Sequence, residues 1–196
     1  MKRATLTNTL AMLMLASTSS YAGIGVFSTS DASDCNLTIA SFEPGTLYVI
    51  YLRAGGPQAM RAEYRIIGMP GTFGVSFTAV LTPAPGSNFN SGNAFDGTGH
   101  IVGWPEPQPF DANGNLLLAT YTITNLGAAV PPATWLRVTT MSPPVGLCGY
   151  YGVPLVMDAE SKATCVSGGT MDLGGGSACI VAIEPHTWSE VRSLYR

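Results

Sequence analysis

The fold class this 196-residue sequence predicts is all-β: an antiparallel two-sheet sandwich of about nine strands with a short C-terminal helix. Three observations lead there. The chain carries 23 glycines and 14 prolines but only 11% charged residues, a composition suited to many strands and turns. Residues 116–141 hold two runs of period-two alternation. In the first, Leu117, Ala119, Tyr121 and Ile123 fall on one face and Thr120, Thr122 and Thr124 on the other; in the second, Leu136 and Val138 alternate with Trp135, Arg137 and Thr139. Upstream, Met60, Ala62, Tyr64 and Ile66 alternate with Arg61, Glu63 and Arg65, which places one face of that strand in water.

Taken in order, residues 24–27 suit a short first strand, and 28–35 form a polar loop. Glu43, Pro44 and Gly45 mark a turn before residues 46–53, TLYVIYLR, a strand of β-branched and aromatic residues. Another strand covers 60–66, a loop 68–74, and a further strand 75–81. Residues 83–99 read as a long polar insert, either a sandwich crossover or a functional loop. A short strand at 100–104 stops at Pro105, and the prolines at 105, 107 and 109 exclude a sheet interior, because proline lacks the ladder donor. Asn113-Gly114 is a two-residue turn signal leading into the central strand. After a turn-rich loop from 142, residues 155–158 and 163–166 suit a hairpin. Gly168-Gly169 suggests a bulge before a strand at 170–173, and 180–183 is a last short strand.

Residues 1–22 read as a targeting segment outside the fold. Lys2 and Arg3 precede a short apolar run at 10–16, and Ser20 and Ala22 supply the small residues of a signal-peptidase site. That run is shorter than the roughly 20 residues needed to span a bilayer. The expected organisation is a signal peptide at 1–22, a sandwich domain at 23–183 and a tail at 184–196. The expected location is periplasmic, cell-surface or secreted. Without Lys2 and Arg3, seven of the nine basic residues remain against twelve acidic ones, which excludes a basic phosphate-binding footprint and hence nucleic acid as a partner.

Cys35, Cys148, Cys165 and Cys179 all follow the cleavage site, and an even count in an exported chain implies two disulfides. Three pairings are open. The favoured one closes a Gly-rich loop with Cys165–Cys179 and ties two loops with Cys35–Cys148. Zinc is disfavoured, because there is no CxxC pair and neither histidine lies at ligand spacing from a cysteine. Asp111-Ala-Asn-Gly-Asn115 hints at a calcium loop, yet its glycine is at position four and its twelfth residue is Thr122, so a turn is the better reading. Asp158 and Glu160 near Lys162 offer a loose calcium site, with solvated turn charges as the favoured reading. No cofactor or metal is expected.

Catalysis finds little support. His100 and His186 are the only histidines, and neither sits in a G-x-S-x-G context. Which of Glu43, Glu63, Asp96, Glu106 and Asp111 converge is not readable from sequence. The candidate ligand or partner contacts are Trp104, Trp135 and Arg137 on the domain, with Tyr150 and Tyr151 as further aromatics able to stack on sugar; for each aromatic the competing role is core packing or edge shielding. In the tail, Thr187 and Glu190 fit a capping box, and Trp188, Val191 and Leu194 share one face of a short helix. Such a helix is marginal alone, so that face calls for a surface, either on its own domain or on a partner.

The segments AEYRI (62–66), NGNLLLATYTI (113–123) and LVMDAESKATCVSGGTMDL (155–173) resemble, in spacing and hydrophobic pattern, cohesin-type domains and the related cellulose-binding modules. The resemblance covers most of residues 24–173. It implies a nine-stranded jelly-roll and a binding role, with no dockerin-binding signature to carry over. HTWSEVRSLYR (186–196) resembles the Trp-containing tails of a group of exported bacterial proteins. The function expected is non-catalytic attachment or assembly through a protein partner at the cell envelope. The alternative is a carbohydrate-binding module that grips polysaccharide with exposed aromatics.

Overall fold

Residues 22–53, 58–131, 134–144 and 146–173 are described by the computed structural model. Their strands run β1 (Ala22–Phe27), β2 (Pro44–Arg53), β3 (Arg61–Ile67), β4 (Phe77–Pro83), β5 (Phe89–Asn93) and β6 (Gly99–Gly103). There follow β7 (Asn115–Asn125), β8 (Trp135–Thr139), a one-turn helix α1 (Gly146–Tyr150), β9 (Leu155–Met157), β10 (Ala163–Cys165), β11 (Ser167–Gly168) and β12 (Thr170–Asp172). One sheet has the order β11-β1-β2-β7-β4; the other runs β10-β9-β3-β6-β5, with β8 on β3 and β12 on β8. All pairings between these strands are antiparallel except β1 with β11, so the sandwich expected from the alternation is the fold observed.

The two runs of residues 116–141 do not form a hairpin. β7 lies at the centre of the first sheet between β2 and β4, and β8 crosses to the second. Their apolar faces meet in the core, where Tyr121, Ile123 and Leu136 are fully buried and Val138 nearly so. The expected inward set of β7 holds for Ala119, Tyr121 and Ile123 and fails at Leu117. The β2–β7 register steps from Val49↔Ala119 to Ile50↔Leu117 and skips Leu118, a bulge that changes the phase of the strand. Leu118 is therefore fully buried, Leu116 is buried, and Leu117 is only half-buried against the core.

The insert at 83–99 is shorter as a loop than its composition suggests. Phe89–Asn93 pairs with β6 and forms the edge of the second sheet. The facing edge of the first sheet, β4, is protected. Gly74 N–H donates to the Phe77 carbonyl, Asn93 Nδ2 donates to the Ala79 carbonyl at 2.9 Å, and Pro83 has no donor, which removes three positions of the ladder from an incoming strand. The turn-rich segment after residue 142 contains α1, which the sequence reading placed in a loop.

The disulfide within the described residues joins Cys148 of α1 to Cys165 of β10, with Cα atoms 5.2 Å apart. This overturns the favoured pairing of Cys165 with Cys179 and of Cys35 with Cys148. The hairpin formed by β9 and β10 carries Cys165 back beside the helix, a proximity that chain spacing does not show. Cys35 is also disulfide-bonded, and Cys179 lies outside the described residues, as do residues 1–21 of the expected signal segment, the strand expected at 180–183 and the expected tail; Ala22, expected to end the signal segment, begins β1. Gly168, read as part of a bulge, pairs instead with β1, and its lack of a side chain has a specific use: a Cβ there would collide with the Val138 carbonyl.

Candidate binding face

The outer side of the second sheet is built by alternation. In β3, Ala62, Tyr64 and Ile66 turn inward, so Arg61, Glu63, Arg65 and Ile67 face out. Register aligns the neighbours in rows. Arg61 stands between Gly103 and Met157, Glu63 between Ile101 and Leu155, Arg65 beside Thr139, and Ile67 beside Arg137. Phe89, opposite Gly103, covers the space where that glycine has no side chain. Phe89 is 49% exposed and Ile67 41% exposed; Ile101, Leu155 and Met157 are half-buried. The result is one sheet face, apolar around Phe89, Ile101, Leu155 and Met157 and again at Ile67, set with three arginines and one glutamate.

The charges on it are partly paired. Arg61 Nη2 lies 2.6 Å from Glu63 Oε1, and Arg65 Nη1 donates to the Gly97 carbonyl at 3.2 Å. Arg137 is exposed. At the far edge, the Cys148–Cys165 link holds α1 against β10, and the adjoining Tyr150 and Tyr151 are 74% and 41% exposed. Their rings meet edge to face, with centroids 5.3 Å apart and an interplanar angle of 82°.

Among the expected contacts, Arg137 lies on this face, and Trp135 is half-buried on the same side of β8 at its end. Trp104 is a correction. It is 4% exposed, with its indole N–H donated to the Pro85 carbonyl at 3.2 Å, so it belongs to the core. Trp188, Val191 and Leu194 lie outside the described residues. Sequence reasoning missed Phe89 and Ile67. Ile67 was signalled: it follows Ile66 and so falls, by period two, on the charged face of β3. Phe89 carried a weaker signal, a lone aromatic in an Asn- and Ser-rich stretch.

The carboxylates weighed for calcium serve their own turns. Asp111 Oδ1 accepts from the N–H groups of Asn113 and Asn115, both at 2.8 Å, and Asp158 Oδ1 accepts from those of Glu160 and Lys162. Among the described residues, no group of three or more His, Cys, Asp or Glu side chains is placed to hold a metal. Asp31 is held down to about 2, first by hydrogen bonds from the Ser33 and Thr29 hydroxyls, and Asp34 is lowered mainly by the Asn36 N–H, inside a loop these bonds organise.

His100 is enclosed in the sandwich. Its Nδ1 lies 2.8 Å from the Tyr64 hydroxyl, and its ring meets Tyr64 and Tyr121 edge to face. Tyr121 Oη accepts from the Ala94 N–H at 3.2 Å, and Nε2 of His100 is buried without a partner. Burial lowers the imidazole to about 4 and raises both tyrosines, so the group is neutral and structural at ordinary pH.

The solved structures to which the chain is similar are cohesin modules. The sixth cohesin of scaffoldin B from Acetivibrio cellulolyticus, solved with a Cel5 dockerin, shares 10% identity at a TM-score of 0.45, covering 78% of this chain and 99% of that one. The cohesin module of a family 33 glycoside hydrolase from Clostridium perfringens shares 8% identity at 0.43, covering 79% and 95%. A type I cohesin–dockerin complex from Clostridium thermocellum gives 7% at 0.42, covering 76% and 91%. No protein-family profile matches the sequence, and no curated protein matches it. Among the described residues, no helix is long and apolar enough to cross a membrane.

Proposed function

We propose that the chain is an exported, non-catalytic attachment module that holds a protein partner on the outer face of its second sheet. One observation carries the reading: on one sheet face Phe89, Ile101, Leu155 and Met157 gather at one end and Ile67 stands at the other, with Arg61, Arg65 and Arg137 among them. Interface centres are enriched in aromatic residues, methionine and arginine, and this combination is what such a centre uses. In a chain with only 11% charged residues, gathering three arginines onto one sheet face is a marked bias. A dockerin, with which two of the similar structures were solved, is one form such a partner takes.

The carbohydrate reading is the weaker one, because a flat sugar ring stacks on coplanar aromatics. Trp104 is buried, and Tyr150 and Tyr151 stand nearly perpendicular. Export is supported by the leader-like segment at 1–22 together with a disulfide in the fold.

The test is a pull-down from the native envelope with the wild-type chain and a Phe89→Ser/Ile67→Ser variant, beside a glycan array. A protein captured by the wild type and lost with the variant supports the reading. Sugar binding with no protein captured, or capture unaffected by the variant, overturns it.

A further inference from the structure

The charges on the binding face do not cancel, and their placement names the chemistry of the partner. Arg61 is neutralised by Glu63. Arg65 and Arg137 have no carboxylate partner among the described residues. They lie diagonal to each other across the β3–β8 pair, because Arg65 stands opposite Thr139 and Arg137 opposite Ile67. Diagonal neighbours in an antiparallel pair are separated by roughly 7–8 Å, close enough for both guanidiniums to engage one short acidic stretch.

Arg65 is already anchored through the Gly97 carbonyl, which limits the freedom lost on binding. The carboxylate in the adjoining turn, Asp96, is committed through Oδ1 to the N–H and hydroxyl of Thr98 at 2.8 and 2.6 Å. Asp158, Glu160 and Lys162 sit in the β9–β10 turn beyond Met157, at the Arg61 end of the sheet. The Arg65–Arg137 end, bordered by Ile67, thus carries two guanidiniums outside any ion pair among the described residues, with the Asp96 charge in the adjoining turn and the buried Asp172, opposite Trp135, diagonal to Arg137.

We infer that the partner is an acidic protein segment, with at least two carboxylates set on Arg65 and Arg137 and apolar side chains laid on Ile67 and Phe89. The inference rests on the attachment reading and adds to it the sign of the partner's charge. Guanidinium–carboxylate pairs give both affinity and register, and the long-range part of that attraction is screened by salt.

The experiment selects a random 15-residue displayed peptide library on the full-length protein, then measures binding of synthesised winners by calorimetry. Wild type, Arg65→Glu/Arg137→Glu and Phe89→Ser/Ile67→Ser are compared at low and high salt, with polygalacturonate as a second ligand. All substituted side chains are at least partly exposed, and circular dichroism checks that each variant keeps its fold. The expected winners are rich in Asp and Glu, weaken with salt, and lose roughly tenfold to a hundredfold in affinity on charge reversal. Neutral or basic winners that depend on Phe89 and Ile67 but ignore the reversal overturn the acidic partner and leave the attachment face standing. Winners indifferent to both variants overturn the face itself. Charge-dependent binding of polygalacturonate with no acidic peptide selected overturns the assignment to protein.

Discussion

Acid should weaken this fold through one side chain, His100. The imidazole is fully buried between Tyr64 of its own sheet and Tyr121 of the other, and burial depresses it from 6.5 to about 4. A depressed histidine is harder to protonate folded than unfolded. Above about pH 7 both states are neutral and no penalty exists; as pH falls below 6.5 the unfolded chain takes up the proton first, and stability drops until the folded value is passed. A gap of about 2.5 pH units at 1.36 kcal/mol each sets a ceiling of roughly 3 kcal/mol. For a domain of this size that corresponds to about 6–12 °C in Tm. The groups facing the ring are the Tyr64 and Tyr121 phenols, both raised and so neutral, with the Asp96 charge felt by Tyr121. The assay is urea and thermal unfolding of wild type and His100→Phe from pH 8 to pH 4. Asp31 and Asp34, whose lowered values also cost stability in acid, are common to both proteins, so the difference isolates His100. Wild type should lose up to about 3 kcal/mol more than the variant over that range. Parallel pH profiles would refute the reasoning.

Three further outcomes are expected. Leu118→Ala should cost about 2–5 kcal/mol in urea denaturation, while Leu117→Ala should cost clearly less, because the bulge buries Leu118 and leaves Leu117 half out; equal costs would remove the bulge. Replacing Cys148 and Cys165 by serine opens a link across 17 residues and should cost roughly 3 kcal/mol, and non-reducing peptide mapping of the wild type should recover the two cysteines in one linked species. Mass spectrometry of the protein recovered from its native host should find an N-terminus at Gly23, which leaves the rest of β1 intact; an uncleaved leader would contradict export by this route.

Much of the framework was legible from local pattern. Alternation in residues 60–66 and 116–125 identifies half-buried strands, and Arg137 and Ile67 fall on outward faces by counting in twos. Phe89 was harder to place, because Asn and Ser in a strand look like a loop until β6 is seen beside them. Trp104 was open between contact and core, because a tryptophan that ends a strand before prolines fits either; only the Pro85 carbonyl across the loop shows how its indole is satisfied inside.

The sequence by itself determined the fold class and the inward face of most strands, together with the expectation of disulfides from an even cysteine count, since these follow from composition and from neighbours two residues apart. Tertiary structure decided everything that depends on residues far apart in the chain. The Leu118 bulge exists because β2 and β7 pair out of step, Cys148 meets Cys165 because a hairpin folds back beside α1, and Arg65 and Arg137 are diagonal neighbours because the chain crosses after β7 to lay β8 against β3. Side-chain alternation is a property of one strand, whereas register and pairing are chosen by which strands bury each other's apolar faces, and that choice is made only when both sheets are in place.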